Sequence, residues 1–207
     1  MKIKLVLIQF ISVLILINFA ACEKSNSEKE NPKYEEFTEY TILKGNHISQ
    51  NYEKQNTPLD LNFSFAFGDG CIYDPIDWQE FPYDRQLNIL LGFTSNDSIK
   101  NSALLLWESD GDSISFAVLT RSFYQWQLRG SMFGKTSLGI TNKGRIWYDG
   151  VYFKISLNDE ILIYDSTTIN STFTLNTPMF GSVFNSKNDT TGLNPAPKDM
   201  RIYIKYH

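Results

Sequence analysis

The sequence is poor in the side chains that most often carry metal or nucleophilic chemistry. Its 207 residues include 2 cysteines and 2 histidines, and the histidines, His47 and His207, lie far apart along the chain. Zinc sites draw on several such ligands together, so the sequence predicts neither a metal site nor a histidine general base. A glycine-rich phosphate loop and a G-x-S-x-G motif are also absent from it. We therefore assign no catalytic residue, and both histidines are expected to be solvated or capping residues.

The chain also lacks an excess of positive charge. It has 19 Lys and Arg residues against 23 Asp and Glu residues, which gives a formal net charge of −4. Nucleic acids and anionic lipids are bound through basic patches. Neither is therefore an expected partner.

Apolar residues do form one long run, at the N terminus. Residues 1–4 contain two lysines, and residues 5–21 are mostly Leu, Ile, Val and Phe. A charged start followed by an apolar segment is typical of a signal peptide, and a transmembrane anchor is the alternative. The run ends in "FAAC", residues 19–22, which resembles the lipobox of bacterial lipoproteins. That resemblance implies cleavage before Cys22, lipidation of the Cys22 thiol, and attachment to a membrane through acyl chains.

A flexible tether is expected after this run, because residues 23–33 contain no large apolar residue. The predicted organisation is a signal peptide (1–21), a tether (22–33) and one domain (34–207). Loss of the two signal-peptide lysines would lower the 19 basic residues to 17, against 23 acidic ones. Glu23, Glu28 and Glu30 resemble the export signal of some Gram-negative surface lipoproteins. This implies an outer-membrane anchor with the domain facing outward, and a periplasm-facing domain is the alternative.

One cysteine, Cys71, remains in the predicted domain. With Cys22 acylated, no intramolecular disulfide can form, although such a compartment would permit one. Cys71 is therefore expected to be a small buried apolar residue rather than a reactive thiol.

Within the domain, apolar residues recur at every second position. The pattern is clearest in "LDLNFSFAF" (59–67), "DSISFAVL" (112–119), "VYFKISL" (151–157, with Val151 expected on the inward face) and "MRIYIKYH" (200–207). A period of two predicts half-buried β-strands. Turn signals separate them at "FGDG" (67–70), "SDGD" (109–112), "TNKG" (141–144) and "LNDE" (157–160). With no helical stripe and no fixed-period repeat, the pattern predicts an all-β antiparallel β-sandwich.

Two regions resemble known jelly rolls. The segment "RIWYDGVYFKISLNDEILIYDST" (145–167) is similar to the hairpin of laminin-G and concanavalin-like domains. The segments "PMFGS" (178–182) and "APKDMRIYI" (196–204) are similar to the closing segments of small bacterial lipoproteins that end in P-Y-F-G-G and A-P-H-D-I-x-I. Both resemblances imply a concanavalin-like jelly roll of carbohydrate-binding type. Lys198 stands where that group has His, so no role of that His is carried over.

Carboxylates in a catalytic arrangement are not evident. The segment "WESDGDS" (107–113) is superficially similar to the catalytic strand of concanavalin-like glycoside hydrolases through Glu108, Asp110 and Asp112. Its Asp-Gly centre is typical of a tight turn, however, and the flanking pair that such enzymes need is not recognisable. The segment "YFK" (152–154) is similar to a fragment of alginate lyase strands, without that family's Arg, Gln and His partners.

No cofactor is predicted. Calcium is the alternative, since jelly rolls often hold this ion between loop oxygens, and "FGDGCIYD" (67–74) supplies Asp69 and Asp74. Ordinary turn chemistry explains the same two residues.

Aromatic residues give the main candidate for a ligand site. The segment "YDPIDWQEFPYDRQ" (73–86) is a non-periodic loop in which Trp78, Phe81 and Tyr83 cannot all be buried by a strand pattern. Exposed Trp and Tyr rings stack on sugar faces, and neighbouring polar groups such as Arg85 bond to hydroxyls. A loop that merely covers one end of the sandwich is the alternative.

A second candidate surface is the polar face of "FYQWQLRG" (123–130), formed by Gln125, Gln127 and Arg129 opposite an expected core face. Together these features predict a lipid-anchored jelly-roll protein that binds a glycan without catalysis. Two alternatives stay open at this point. One is a structural or adhesive surface protein with a protein partner, and the other is a polysaccharide hydrolase or lyase whose catalytic residues are not recognisable.

Overall fold

β-Strands are the main elements of the computed structural model. It describes residues 32–51, 55–56, 59–74, 87–95, 102–122, 125–128, 133–166, 173–181 and 195–207. In chain order the strands are β1 (Thr38–Ile42), β2 (Gln55–Asn56), β3 (Asp60–Phe67), β4 (Asn88–Ser95), β5 (Ser102–Ser109), β6 (Ile114–Ser122), β7 (Gln125–Leu128), β8 (Phe133–Thr136), β9 (Asn142–Tyr148), β10 (Tyr152–Leu157), β11 (Glu160–Ser166), β12 (Phe173–Asn176) and β13 (Met200–Tyr206). A short 3-10 turn spans Pro32–Tyr34. Within these residues no helix has both the length and the apolar character needed to cross a membrane.

The strands form two antiparallel sheets. Sheet A has six strands in the order β1-β13-β3-β9-β10-β11, and sheet B has seven, in the order β2-β12-β4-β5-β6-β7 with β8 also paired to β6. The strands β7 and β8 pair with successive stretches of one edge of β6, since β5 pairs along the other edge. The predicted antiparallel sandwich is confirmed, and Glu36–His207 forms one compact unit.

The core lies between the two sheets and is rich in aromatic rings. Strand β3 supplies the buried residues Leu61, Phe63, Phe65 and Phe67, as the alternation of its sequence predicts. Phe65 packs edge-on against Phe116 of β6 with 5.7 Å between ring centroids, and Phe67 lies 5.0 Å from Trp107 of β5. Such ring pairs contribute about 0.5–1.5 kcal/mol each beyond the area they bury. These contacts therefore hold sheet A against sheet B.

Sheet B departs from the predicted half-buried pattern. A second buried apolar cluster lies on the other face of β4, β5 and β6, and its members are Leu87, Ile89, Leu104, Leu106, Ala117 and Leu119. The prediction of half-buried strands is therefore wrong for these strands. The run "ALLLW" (103–107) is continuously apolar, and a continuous apolar run is typical of a strand buried on both faces.

The turn predicted at "TNKG" (141–144) is also wrong, because Asn142–Tyr148 is strand β9. Gly144 stands opposite Phe63 of β3, and a Cβ at this glycine would overlap the Phe63 ring. This glycine therefore makes room for a core ring rather than for a turn. The Asn142 amide is buried and donates to Thr136 Oγ1 at 3.0 Å and to the Ile140 carbonyl at 3.0 Å.

The inward position predicted for Val151 is wrong as well. Val151 lies in the turn before β10 and is 52% exposed. Its amide donates to Asp149 Oδ1 at 2.9 Å, so the strand begins one residue later, at Tyr152, than the alternation suggests. The next alternating residues, Phe153, Ile155 and Leu157, are buried as predicted.

Other local predictions are confirmed. Asn158 and Asp159 have φ values of 48° and 71°, which fits the two-residue hairpin turn that joins β10 to β11. Asp110 caps its turn by accepting from Ser113 N at 2.7 Å and from Lys135 Nζ at 2.5 Å. Cys71 is fully buried and donates its thiol to the Arg201 carbonyl at 3.2 Å. Burial raises the pKa of that thiol well above its usual range, so it is protonated and poorly nucleophilic.

Candidate binding groove on sheet A

The face of sheet A that points away from the core is polar and charged, because successive side chains of a strand point to opposite faces. A groove of about 600 Å³ lies on this face. The side chains that line it are Asn62, Ser64, Lys143, Arg145, Trp147, Ser156, Asp159, Ile161 and His207. Its volume falls in the range of about 300–1,000 Å³ that is usual for small-molecule sites. We call it the sheet A groove.

Strand pairing sets these side chains in rows across the sheet. One row runs across four strands, through Asn62, Arg145, Ser156 and Ile161. In another row Ser64 lies between Lys143 on β9 and Lys205 on β13. Residues directly opposite each other have Cβ atoms about 4.5–5.5 Å apart. The floor of the groove is therefore fixed by the backbone register.

One wall of the groove is an aromatic ring held by charged neighbours. The Arg145 guanidinium lies over the Trp147 ring, 4.7 Å from its centroid. The same guanidinium donates from Nε to Asp60 Oδ1 at 2.9 Å and from Nη2 to Asp60 Oδ2 at 2.8 Å. These bonds hold the pKa of the Asp60 carboxyl below its usual value and raise the pKa of Arg145. A two-pronged ion pair of this kind fixes both position and orientation of the guanidinium, so the half-buried Trp147 is packed against a positioned neighbour.

The other end of the groove is closed by the end of β13. His207 donates its backbone N–H to the Asn62 carbonyl at 2.9 Å, which continues the pairing of β13 with β3. Its imidazole Nε2 lies 2.9 Å from Ser64 Oγ. The hydroxyl therefore orients an imidazole that the sequence reading expected to be merely solvated or capping.

Lys143 differs from the other cations on this face. Lys154, Lys205 and Arg201 have carboxylate partners, which are Asp149, Glu36 and Glu39 respectively, and Arg145 has Asp60. The exposed Lys143 has no ion pair with any residue in the described part of the chain. Its ammonium group is therefore a cation at the groove that no ion pair with a described residue offsets.

The lining of the groove combines one aromatic ring with polar and charged side chains. Among the lining residues that the structure describes, Asp159 is the one carboxylate side chain, whereas glycoside hydrolysis normally needs a carboxyl pair across the scissile bond. An aromatic ring with amide, hydroxyl and cationic donors around it matches the composition of a ligand site.

No three His, Cys, Asp or Glu side chains are arranged to hold a metal ion within the described ranges. Asp69 and Asp74, the two candidates for calcium, are both exposed. The described part of the chain gives them no third acidic partner, and calcium binding there stays an untested alternative.

None of the described residues that line the groove is a ligand residue predicted from the sequence. Cys22, Trp78, Tyr83, Arg85 and Arg129 lie outside the described residues. Gln125 and Gln127 are in β7, where the backbone pairs them with Ser122 and Thr120 of β6. They therefore belong to sheet B, whereas the groove lies on sheet A.

The sequence analysis did not predict Lys143, Arg145 and Trp147 as site residues, although their alternating pattern in the sequence was visible. In "NKGRIWY" (142–148) these three side chains alternate with Gly144 and the buried Ile146. Two cations and a tryptophan on the outward face of one strand are an unusual stripe for a solvated surface. The reading of residues 141–144 as a turn concealed it.

Comparisons with known proteins identify the architecture. No family model and no curated protein matches the chain. Among solved structures, alginate lyase Aly36B shares 14% identity with a TM-score of 0.55, over 82% of this chain and 78% of that chain. The marine PL7 alginate lyase AlyA1 from Zobellia galactanivorans shares 12% identity with a TM-score of 0.47, over 82% of this chain and 64% of that chain.

The GH16 protein of the Bacteroides ovatus mixed linkage glucan PUL, solved with a G4G4G3G product, shares 14% identity with a TM-score of 0.45, over 82% of this chain and 79% of that chain. At such identities the likeness shows the fold alone. The fold is an antiparallel β-sandwich of the concanavalin-like jelly-roll type, as the sequence predicts.

Proposed function

We propose that this is a lipid-anchored protein of the cell envelope that binds a glycan, without catalysis, in the sheet A groove. The observation that carries the proposal is Trp147, a half-buried ring at a groove wall that Arg145 and Asp60 hold in place. Aromatic rings are the usual platforms for sugar faces because they combine apolar area with a defined geometry. A ring that is already positioned loses little conformational entropy when a ligand stacks on it.

The polar lining supports the same proposal. Asn62 and Ser156 stand in one row with Arg145 between them, so amide, hydroxyl and guanidinium groups follow one another across the groove floor. Sugar hydroxyls need donors and acceptors at short intervals, and these side chains supply both. The sandwich fold shared with Aly36B, a protein named as an alginate lyase, is consistent with a glycan ligand.

The lipid anchor is proposed from residues 1–22 alone. Acyl chains on Cys22 would hold the protein to the outer membrane, and the spacer of residues 23–33 would let the domain reach outward, with a periplasm-facing domain as the alternative. The test of the proposed function is a glycan array, probed with the whole protein in detergent because of the expected lipid anchor. Binding to at least one glycan, lost on Trp147→Ala, is the expected result, and a complete absence of glycan binding would refute the proposal.

A second candidate function is polysaccharide cleavage by a lyase, which the fold likeness to Aly36B favours. The Ser64–His207 hydrogen bond is the one pair in the described groove suited to moving a proton. A lyase leaves an unsaturated sugar that absorbs ultraviolet light. Incubation of the bound glycan with the protein should give no such absorbance if the groove only binds.

A further inference from the structure

We infer that the sheet A groove selects an anionic glycan, and that Lys143 is the residue that binds its negative group. The inference rests on the function proposed above, because it names the class of sugar that the same groove takes. The anionic group is a carboxylate or a sulfate ester, which present the same chemistry to a lysine.

The charge distribution on the outward face of sheet A is the first argument. Each of the other cations on this face has a carboxylate within ion-pair distance, as at Arg145 with Asp60 and Lys154 with Asp149. Those pairs would resist exchange for a ligand group, since a ligand would have to displace a bound carboxylate. Lys143 has no such partner among the described residues and needs no displacement.

The neighbours of Lys143 are polar side chains that can bond to the same ligand group. Ser64 stands directly opposite Lys143, and Lys205 stands on the far side of Ser64. The His207 imidazole is bonded to the same Ser64 hydroxyl at 2.9 Å, so an ammonium group, a hydroxyl and an imidazole meet at this end of the groove. Asp159, at the hairpin turn, is the one opposing side-chain charge among the described lining residues, and it lies beyond ion-pair distance of Lys143.

The placement of Lys143 relative to Trp147 sets the size of the ligand. The two residues lie on the same face of β9 and four positions apart, which corresponds to roughly 13 Å along a strand. A single sugar ring is too short to touch both. The structure therefore fits an oligosaccharide with one ring against Trp147 and an anionic group of another ring at Lys143.

Selectivity follows from the difference between the bound and free states of Lys143. A neutral glycan can offer the ammonium group a hydroxyl oxygen as an acceptor, but no negative charge. An anionic glycan forms a charge-assisted hydrogen bond, which is about twice as strong as a neutral one. The inference thus predicts preference by charge as well as by ring shape.

The test measures binding of the whole protein, in detergent, to matched pairs of oligosaccharides. One set contains oligomers of mannuronate, guluronate and galacturonate beside their methyl esters, which keep the rings but lose the charge. The other set contains sulfated galactan oligomers beside their desulfated forms. The variants are Lys143→Gln, Lys143→Arg and, as a matched control, Lys198→Gln, because Lys198 is an exposed lysine just before the other end of β13.

We expect at least one anionic oligomer to bind about tenfold or more tightly than its neutral partner. Lys143→Gln should remove most of that preference, whereas Lys143→Arg and Lys198→Gln should keep it. Added salt should weaken binding to the wild type more than to Lys143→Gln. Preference within the uronate set identifies a carboxylate ligand, and preference within the sulfated set identifies a sulfate ester.

Three outcomes overturn the inference, and only the third also overturns the proposed function. If charged and neutral partners bind equally, or if Lys143→Gln keeps the full preference, Lys143 does not select the ligand. If Trp147→Ala still abolishes binding of those glycans, the groove remains a glycan site, but one of another specificity. If no oligosaccharide of either set and no glycan on a general array is bound, both the inference and the proposed function fail.

Discussion

Asp60 and Arg145 are diagonal neighbours across β3 and β9, not direct partners. The register pairs Asp60 with Trp147, and Asn62 with Arg145. The two-pronged bond from Arg145 to Asp60, at 2.9 and 2.8 Å, therefore draws the guanidinium along the sheet and over the Trp147 ring. An ion pair at the surface thus serves to place an aromatic side chain.

This relationship predicts that Asp60→Asn separates binding from stability. The ion pair is exposed on both sides, and exposed pairs contribute about 0–1 kcal/mol, so the free energy of unfolding should change by no more than that. Affinity for the array glycan should nevertheless fall severalfold, because Arg145 no longer holds Trp147. Calorimetry of binding and urea unfolding measure the two effects, and unchanged affinity would show that Trp147 needs no such support.

A second prediction concerns Gly144, where a Cβ would overlap the ring of the buried Phe63. Gly144→Ala should lower the free energy of unfolding by about 1–3 kcal/mol, the usual cost of overpacking a core. Phe63→Leu in the same chain should recover part of that loss, because the smaller side chain leaves room for the methyl group. Urea unfolding of the two single variants and the double variant checks this, and simple additivity of the two losses would contradict it.

The sandwich was predictable because its core strands alternate with little interruption. In β3 every second residue from Leu61 to Phe67 is buried, and period two is the direct signature of a strand. The hairpin between β10 and β11 was predictable for the same local reason, since Asn158 and Asp159 are residue types that tolerate the positive φ of a tight turn.

The groove was not predictable from such local signals. Lys143, Arg145 and Trp147 become a site only through the register that sets β9 between β3 and β10, and register is a property of three strands rather than of one. The composition of "NKG", residues 142–144, is typical of a turn. Its glycine, however, lies in a strand opposite Phe63 of β3, where a larger residue would overlap the Phe63 ring. Tertiary packing therefore overrode the local preference at the position where the site begins.

A third prediction concerns acid stability at the turn between β9 and β10. Asp149 accepts from Lys154 and from the amides of Val151 and Tyr152, and these bonds lower the pKa of its carboxyl from 3.8 to about 2. A carboxyl group whose pKa is lower in the folded state than in the unfolded state stabilises the fold. This stabilisation is complete at pH values above the unfolded-state pKa, and it is lost as pH falls through the folded-state pKa. Asp149→Ala should therefore flatten the loss of stability between pH about 4 and about 2.

Urea unfolding of the wild type and Asp149→Ala at several pH values in that window, with pH 7 as reference, provides the measurement. The gap between the two proteins should narrow steadily as pH falls. A gap that stays constant across the window would mean that Asp149 acts through its shape and not through its charge.

A fourth prediction concerns Cys22, which lies outside the described residues. Lipidation requires its thiol, so Cys22→Ser should leave the protein unprocessed or unanchored. Metabolic labelling with a clickable fatty acid, followed by membrane fractionation, detects both effects. Cys71→Ser serves as the control. Cys71 is buried inside the domain, so its substitution should not alter the labelling. Equal label on Cys22→Ser and the wild type would refute the lipoprotein proposal.

The last prediction compares two tryptophans, Trp147 of the groove and Trp78 of the loop that the sequence singled out. A ring that stacks on sugar should contribute on the order of 1 kcal/mol or more to affinity, which corresponds to a loss of about fivefold or more on truncation. We expect this loss for Trp147→Ala. Tyr152→Ala is the matched control, since Tyr152 is an exposed aromatic residue that is not among the lining side chains of the groove.

If the groove is the site, Trp78→Ala should keep the affinity of the wild type. A loss on Trp78→Ala with no loss on Trp147→Ala would instead place the ligand at the loop, and the groove proposal would be wrong. The melting temperature of each variant shows whether its tryptophan contacts the ligand or only supports the packing of the domain. A variant that binds weakly but melts with the wild type has lost a ligand contact, whereas one that melts several degrees lower has lost packing that the domain needs.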